Sequence, residues 1–459
     1  MTNTLYLPEL REMLAEDNAA ELREFCVALH AARTAEFMEG LTAHEAWAVL
    51  RHADDTTRAE IFGYFERDKQ VEIIESADRA EIGKLIVDLP PDDRVDILKS
   101  VKPEVVEELL PFIPAFERRD ILRLKSYPES TAGAMMTTSY AKIGEGLTVK
   151  QAIEEIGRQA QELETIYYVY IVDDHDHLRG LVSARQLLSA MGKPLTKIDD
   201  LMERDLVTVD VNDDQEKVAQ EVARFDLHAI PVVDDERHML GIITHDDVID
   251  VFSAEATEDV YRMGAVAPLV ESYLDANFRT IWWKRSVWLS CLFVAELFTF
   301  TALAHFEDSI QKVVALSLFV PLCISTGGNS GSQAATLITR AMALGQVKLG
   351  DWWRVLRHEL AMGSALGATL GCIGFVRAYF TPRSVLGAAD PLALAVVIAL
   401  AVTVICLWGT LVGSMLPLVF RRLGVDPGYA SSPFVATFVD VTGIFIYFSL
   451  AQVYLLAPH

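Results

Sequence analysis

Along the first 131 residues apolar positions recur at spacings of three and four, the period of α-helices that each bury one face. Segments such as LTAHEAWAVL, ADDTTRAEIF and LPPDDRVDIL share an acidic start followed by an apolar run, which marks helix N-termini. Breaks carrying Pro or paired acids keep these helices short, and their succession predicts a stack of helical hairpins. Near Thr131 the period shifts towards two. The stretch YIVDDHDHLRGLVSARQLL from Tyr170 aligns with PVVDDERHMLGIITHDDVI from Pro231 at an offset of 61 residues. Each predicts a β-branched strand, a polar turn, a second strand containing Gly180 or Gly241, and a helix start. Beyond Glu255 a helical pattern returns, AEATEDVYRMGAVAPLVESYLDANFRTIWWKR, read as one connecting helix over 255–285. Five apolar segments follow, near 286–305, 311–338, 357–380, 391–420 and 432–456, each long enough to cross about 30 Å of hydrocarbon.

Charge separates the halves. Residues 286–459 hold eight acids against nine bases, so almost all of the formal charge of −25 lies in the first 285 residues. So acidic a region gains nothing from nucleic acid, whose affinity rests on neutralised phosphates. A countercharge is needed, and cations are the expected source. The five cysteines are scattered without metal-ligand spacing. Lys284, Arg285, Arg340, Lys348, Arg354, Arg357, Arg421 and Arg422 fall on one side of a five-span topology, and Lys312, Arg377 and Arg383 on the other. The positive-inside rule then predicts a multi-pass protein of the inner (plasma) membrane, with a cytoplasmic N-terminus and an outer C-terminus.

Two of the apolar segments carry chemistry. In SSPFVATFVDVTGIFIYFSLA, Asp440 shares a helical stripe with Pro433, Ala436, Thr437, Gly443 and Tyr447. A charge at mid-bilayer costs about 2.5–3.5 kcal/mol on the insertion scale, so Asp440 is expected to face protein or water. In PLCISTGGNSGSQAATLITR, Asn329, Ser332, Gln333, Thr336 and Arg340 fall on one face. Gly327 and Gly331 would let another backbone approach, while Gly328 could open carbonyls to a cavity. Neither stripe holds Cys, His or Met, and hard oxygen donors suit Mg²⁺, Ca²⁺ or Mn²⁺. Glu296, a second acid within a span, is expected to pair with a donor from another span or to line an accessory route.

Acids of the first half are crowded rather than spread. Asp92, Asp93 and Asp96 share one helix start; Asp214, Glu216 and Asp226 lie in the second repeat; Asp247, Asp250, Glu255, Glu258 and Asp259 fall on one half of a helix. Like charges at that spacing cost a few tenths of a kcal/mol per pair. Their recurrence predicts ion-sensing surfaces, with Asp426, in the loop before the last span, linking them to the membrane. DDHDH, at Asp173 to His177, reads as a solvated turn between strands.

The two β-α-β-β-α repeats resemble a tandem CBS pair. In that module Thr244-x-x-Asp247 matches a nucleotide-binding helix start, and Tyr170 and Arg185 are the residues to meet an adenine nucleotide such as ATP; Ser183-x-x-Gln186 lacks the carboxylate expected to hold a ribose. Across nearly its whole length the chain is similar to the MgtE magnesium channels, through SYPESTAGAMMTT, SAEATEDVYRMG, GGNSGSQAATLITRAMALG and SSPFVATFVDVTG in that order.

The resemblance implies a homodimer in the lipid bilayer with a multidomain fold: an α-helical superhelix (1–131), an α/β CBS pair (132–200 and 201–254), a connecting plug helix (255–285) and an all-α domain of five spans (286–459). It further implies an ion path on the dimer axis, Asp440 as the pore carboxylate with Gly328, Asn329, Ser332, Thr336, Ala436 and Thr437 around it, and a compact, Mg²⁺-loaded closed state. An ion-coupled secondary transporter on the same scaffold is the alternative. An enzyme is not expected, since no P-loop, H-E-x-x-H or G-x-S-x-G is present.

Overall fold

The computed structural model describes residues 5–160, 163–269, 273–274, 276–386 and 390–455. Two compact units divide the chain, Met1–Phe252 and Ser253–His459.

The first unit begins with short helices, from Leu7–Ala15 to Ala115–Lys125. Side chains cap several of their starts. Thr42 and Glu45 form a reciprocal capping box, Asp54 accepts from Thr57 N–H (3.0 Å) and Asp78 from Ala80 N–H (2.9 Å). From Ala31–Met38 onward each helix packs mainly on the one two places further along, the arrangement of stacked hairpins, around buried Met38, Leu50, Ile61, Phe62, Ile73 and Ile82.

Both repeats then form the expected β-α-β-β-α unit. Tyr140–Gly144 pairs in parallel with Thr165–Val172, which pairs antiparallel with Leu178–Ser183. Val209–Asp210, Ala229–Val233 and Met239–Thr244 repeat that order. Gly241 is required because a Cβ there would stand 2.6 Å from the Thr137 carbonyl oxygen. The two strand turns meet each other. Leu178 N–H donates to Arg237 O (3.0 Å), Met239 N–H to Asp176 O (2.9 Å), and the rings of His177 and His238 stack at 4.3 Å. DDHDH is the expected turn between strands, exposed at Asp174, His175 and Asp176, and it is ordered: Asp173 accepts from the backbone of His175 and His177 (both 2.9 Å).

Residues 255–285 do not form one helix. The helix His245–Met263 stops at Gly264, Ala265 takes a left-handed φ of 56°, and Pro268 follows; the next helix starts at Phe278. A proline and a left-handed residue outweigh the amphipathic pattern on which the single helix was expected. Five long helices then fill the second unit: Phe278–His305, Ala315–Ala343, Trp352–Tyr379, Pro391–Arg422 and Ser432–Tyr454. Among the described residues, four helices are long and apolar enough to cross a membrane, Phe278–His305, Leu349–Tyr379, Pro391–Arg422 and Ser432–Tyr454. Ala315–Ala343 has the length, roughly 44 Å at 1.5 Å per residue, but carries the polar run STGGNSGSQAAT.

That second long helix is split lengthwise. Gly327 and Gly331 lie against Gly409 and Gly413 of the fourth: a Cβ at Gly409 would stand 2.2 Å from Gly327 O, and one at Gly413 2.0 Å from Gly331 O. Ser330 Oγ donates to Cys406 O (3.0 Å) across the same contact, a backbone approach open only to small residues. Gly413→Ala should overpack this crossing by about 1–3 kcal/mol and lower the melting temperature of the detergent-solubilised protein. Gly350→Ala, where nothing lies within 4 Å, should leave it unchanged; equal melting of the two variants would contradict the crossing.

Candidate functional site

On the other side of the second long helix, Asn329, Gln333, Thr336 and Arg340 are exposed and Ser332 is half-buried. Ser332 Oγ donates to Ser432 O (3.1 Å) and Thr336 Oγ1 to Ser332 O (2.9 Å), which ties this face to the start of the fifth helix. Asp440 stands beside it. A Cβ at Gly328 would lie 3.4 Å from Cβ of Ala436 and 3.6 Å from Oδ1 of Asp440, so the absent side chain at Gly328 leaves the carboxylate open to the polar face. Asp440 and Thr437 are half-buried, and no hydrogen bond reaches the Asp440 carboxylate among the described residues. The stripe predicted for Asp440 is shorter than expected. Gly443 and Tyr447 turn into the unit, where Tyr447 Oη donates to Leu316 O (2.8 Å), because the fifth helix packs that end against the second. Glu296 finds no donor from another span among the described residues and instead accepts from Thr299 of its own helix (3.0 Å).

A second cluster forms within the first unit. Asp92, Glu164 and Asp247 each bring a carboxylate oxygen within 4.8 Å of the others. Asp92 sits in the first turn of Pro91–Ser100, whose start, Pro90 followed by Pro91, makes no side-chain cap. Its Oδ1 is buried without a partner among the described residues. Asp247 is held by Thr244 Oγ1 (2.7 Å) at the start of His245–Met263, and Glu164 by its own N–H to Ser139 O (3.2 Å) and by the Thr137 hydroxyl.

Burial first, then the charges of Glu164, Asp247 and Asp93, raises the Asp92 carboxyl well above its ordinary value. Burial, opposed by Thr137 and reinforced by Asp247, Asp246 and Asp93, pushes Glu164 up to about 7. Asp247 rises to about 6, mainly through burial, against the Thr244 hydrogen bond and with Asp246 and Asp93 adding to it. Glu164 is the exposed member and so the side through which water or an ion reaches the group. Hard oxygen donors with one unmet buried oxygen fit a divalent cation.

The remaining sequence-predicted acids are not gathered there, although Asp93 and Asp250 stand close enough to act on one another's charge. Asp96 pairs with Lys99 (3.0 Å). Asp214 caps the helix Gln215–Phe225 (2.9 Å to Glu216 N), and Asp226 closes its far end in a left-handed conformation, roughly 16 Å away at 1.5 Å per residue; Glu216 accepts from Gln220 (3.1 Å). Asp214 and Glu216 stand together at the start of that helix and Asp226 at its end, so the helix separates Asp226 from the other two. Glu258 and Asp426 both pair with Arg262. Asp259 lies one turn from Glu255, and burial followed by that charge raises its carboxyl against Arg262 and Arg340.

Arg185 is exposed, but Tyr170 is fully buried between the repeats, edge-on to Tyr140 at 5.9 Å, and its hydroxyl has no partner. Tyr170 is therefore core rather than a surface contact for a nucleotide: its alternating strand position points it at the second repeat. Glu164 and Asp246 were missed from the sequence, as were Gly409 and Gly413. The G-x-x-x-G spacing of the glycines was a readable signal; Glu164 had none beyond its neighbourhood to a strand.

Family models match in three places: a divalent cation transporter domain over 320–450, an MgtE intracellular N domain over 29–130, and CBS domains over 132–193 and 198–254. The magnesium transporter MgtE of Thermus thermophilus is 41% identical over 332 residues, 72% of each chain. That of Enterococcus faecalis is 34% identical over 333 residues, 72% of this chain and 71% of its own. Among solved structures, the soluble part of a magnesium transporter aligns with a TM-score of 0.51 at 32% identity, over 54% of this chain and 97% of its own. The cytosolic domain of the Mg²⁺ channel MgtE in complex with ATP aligns with a TM-score of 0.50 at 31% identity, over 53% and 98%.

Because Asp92, Glu164 and Asp247 have raised carboxyl pKa values in the folded protein, the stability they allow is complete at low pH and lost as pH rises through about 6 to 7. Without divalent ions, the transition of the first unit within the full-length protein should melt lower at about pH 8 than at about pH 5. Mg²⁺ should restore it at the higher pH and do little at the lower. Asp92→Asn should raise the metal-free transition and shrink the Mg²⁺ response; an equal Mg²⁺ increment at both pH values would contradict the cluster.

Proposed function

The chain belongs to the MgtE family of magnesium transporters, and we propose that it is a Mg²⁺-selective, Mg²⁺-gated channel for magnesium uptake, built as a homodimer. It is a membrane transporter with a cytosolic CBS pair, not an enzyme. The observation that carries the channel reading is the exposed polar face of Ala315–Ala343 beside a carboxylate with no donor, Asp440. Such a face is stable in hydrocarbon only if protein or water covers it. A twofold axis along it would set two Asp440 side chains opposite each other, where their repulsion favours a shared divalent ion. Gly328, Asn329, Ser332, Thr336, Ala436 and Thr437 then line a wide, oxygen-rich route that suits an ion keeping several waters, as Mg²⁺ does.

Counting Ala315–Ala343 as a span gives five crossings, a cytoplasmic N-terminus and an outer C-terminus, in accord with Arg340, Lys348, Arg354 and Arg357 on the inner side. Gating follows from the acidic cluster. Intracellular Mg²⁺ held by Asp92, Glu164 and Asp247 draws the helical domain onto the CBS pair, and weaker binding at Asp93, Asp250, Glu255 and Asp259 adds to it. Reversing a 1:99 equilibrium needs about 5.5 kcal/mol of differential binding, and several sites contributing about 1–2 kcal/mol each suffice. An adenine nucleotide, if bound as in the related cytosolic domain, would use the exposed Arg185 without the Tyr170 surface.

Uptake into liposomes tests this reading. Asp440→Ala should lower Mg²⁺ flux by at least about tenfold, the equivalent of 1.4 kcal/mol. Wild-type flux should run strictly downhill and ignore an imposed proton or sodium gradient. A variant as active as the wild type would remove the pore role, and gradient-driven accumulation would favour the coupled transporter.

A further inference from the structure

Where the helix His245–Met263 ends and the first long helix begins, the second unit encloses a cavity of about 380 Å³. Its volume lies within the roughly 300–1,000 Å³ of small-molecule sites. Its wall is largely apolar, from Pro268, Trp283, Val287, Trp288 and Tyr429, and Arg262 and Lys284 also line it. Two of these residues carry unmet donors: Arg262 Nε and Trp288 Nε1 are buried and have no acceptor among the described residues. The rest of the Arg262 guanidinium is spent on Glu258 and Asp426 and lies over the Tyr429 ring at 5.6 Å. Lys284 donates to Pro268 O, and among the described residues no carboxylate pairs with it.

We propose that this cavity holds the phosphodiester headgroup and upper acyl carbons of an anionic glycerophospholipid. The inference rests on Phe278–His305 crossing the bilayer with its basic, tryptophan-rich end at the inner surface. A phosphodiester is all acceptor oxygen, which the two unmet N–H groups lack, and its single negative charge matches the one lining cation without a counter-ion. Val287 and Trp283 continue the apolar wall towards the hydrocarbon, where the first acyl carbons lie. Basic pockets beside inner-leaflet helix ends are suited to such headgroups. The lipid would join the end of the helix His245–Met263 to the start of the first span, beside the break at Gly264 and Ala265.

The test uses the full-length protein in vesicles of phosphatidylcholine with phosphatidylglycerol. Lipid retained after extraction is read by native mass spectrometry, and tryptophan quenching by lipids brominated on their acyl chains. Wild type should retain phosphatidylglycerol over phosphatidylcholine. Trp288→Phe and Lys284→Gln should each lower that retention at least about fivefold, while Trp352→Phe, in the unrelated tryptophan pair, should not. Equal retention of both lipids, or retention unaffected by Trp288→Phe and Lys284→Gln, overturns the site. Absence of quenching even by brominated phosphatidylcholine would contradict the bilayer placement itself, whereas quenching without selective retention would contradict the lipid site alone.

Discussion

Carboxylates brought together with water withdrawn cannot all stay charged unless a cation joins them. Asp92, Glu164 and Asp247 meet that condition, with oxygens within 4.8 Å of one another and one Asp92 oxygen unmet. Asp92 belongs to the helical domain, and Asp247 and Glu164 to the CBS pair, so the unfavourable term acts across a domain contact rather than within one helix. A contact that is strained when empty and relieved when loaded is a two-state element with a ligand that distinguishes its states.

The membrane unit poses the same electrostatic problem in a different medium. Asp440 stands open beside Gly328, with amides and hydroxyls along the adjoining face. The opposite face of that helix is sealed by backbone contact, glycine on glycine, with the fourth long helix. Helix packing and the exposed polar residues therefore do not compete for this segment, because they occupy opposite sides of it. The glycines hold the helix where its amides can serve.

Local patterns made much of this legible. Helix starts, the repeat and its strands, and the polar stripe each depend on residues close in sequence, and Asp92 and Asp247 stood out because acids crowd at those helix starts. What escaped was convergence. Glu164 reaches the cluster through a backbone bond to Ser139 and the fold of a neighbouring strand, which no spacing encodes. Asp214 and Asp226 looked like a group in sequence but are separated by the helix they terminate. The amphipathic run after Glu255 suggested a continuous helix, yet Gly264, Ala265 and Pro268 interrupt it and leave the cavity beside Trp288.

Hydrogen–deuterium exchange of the full-length protein with and without millimolar Mg²⁺ tests the central claim most directly. The account predicts that Mg²⁺ slows exchange by about tenfold or more in peptides covering 91–100 and 245–252, and that Asp92→Asn slows it there without Mg²⁺. Exchange in those peptides that ignores Mg²⁺ in the wild type, while Mg²⁺ still closes the transport route, would contradict it.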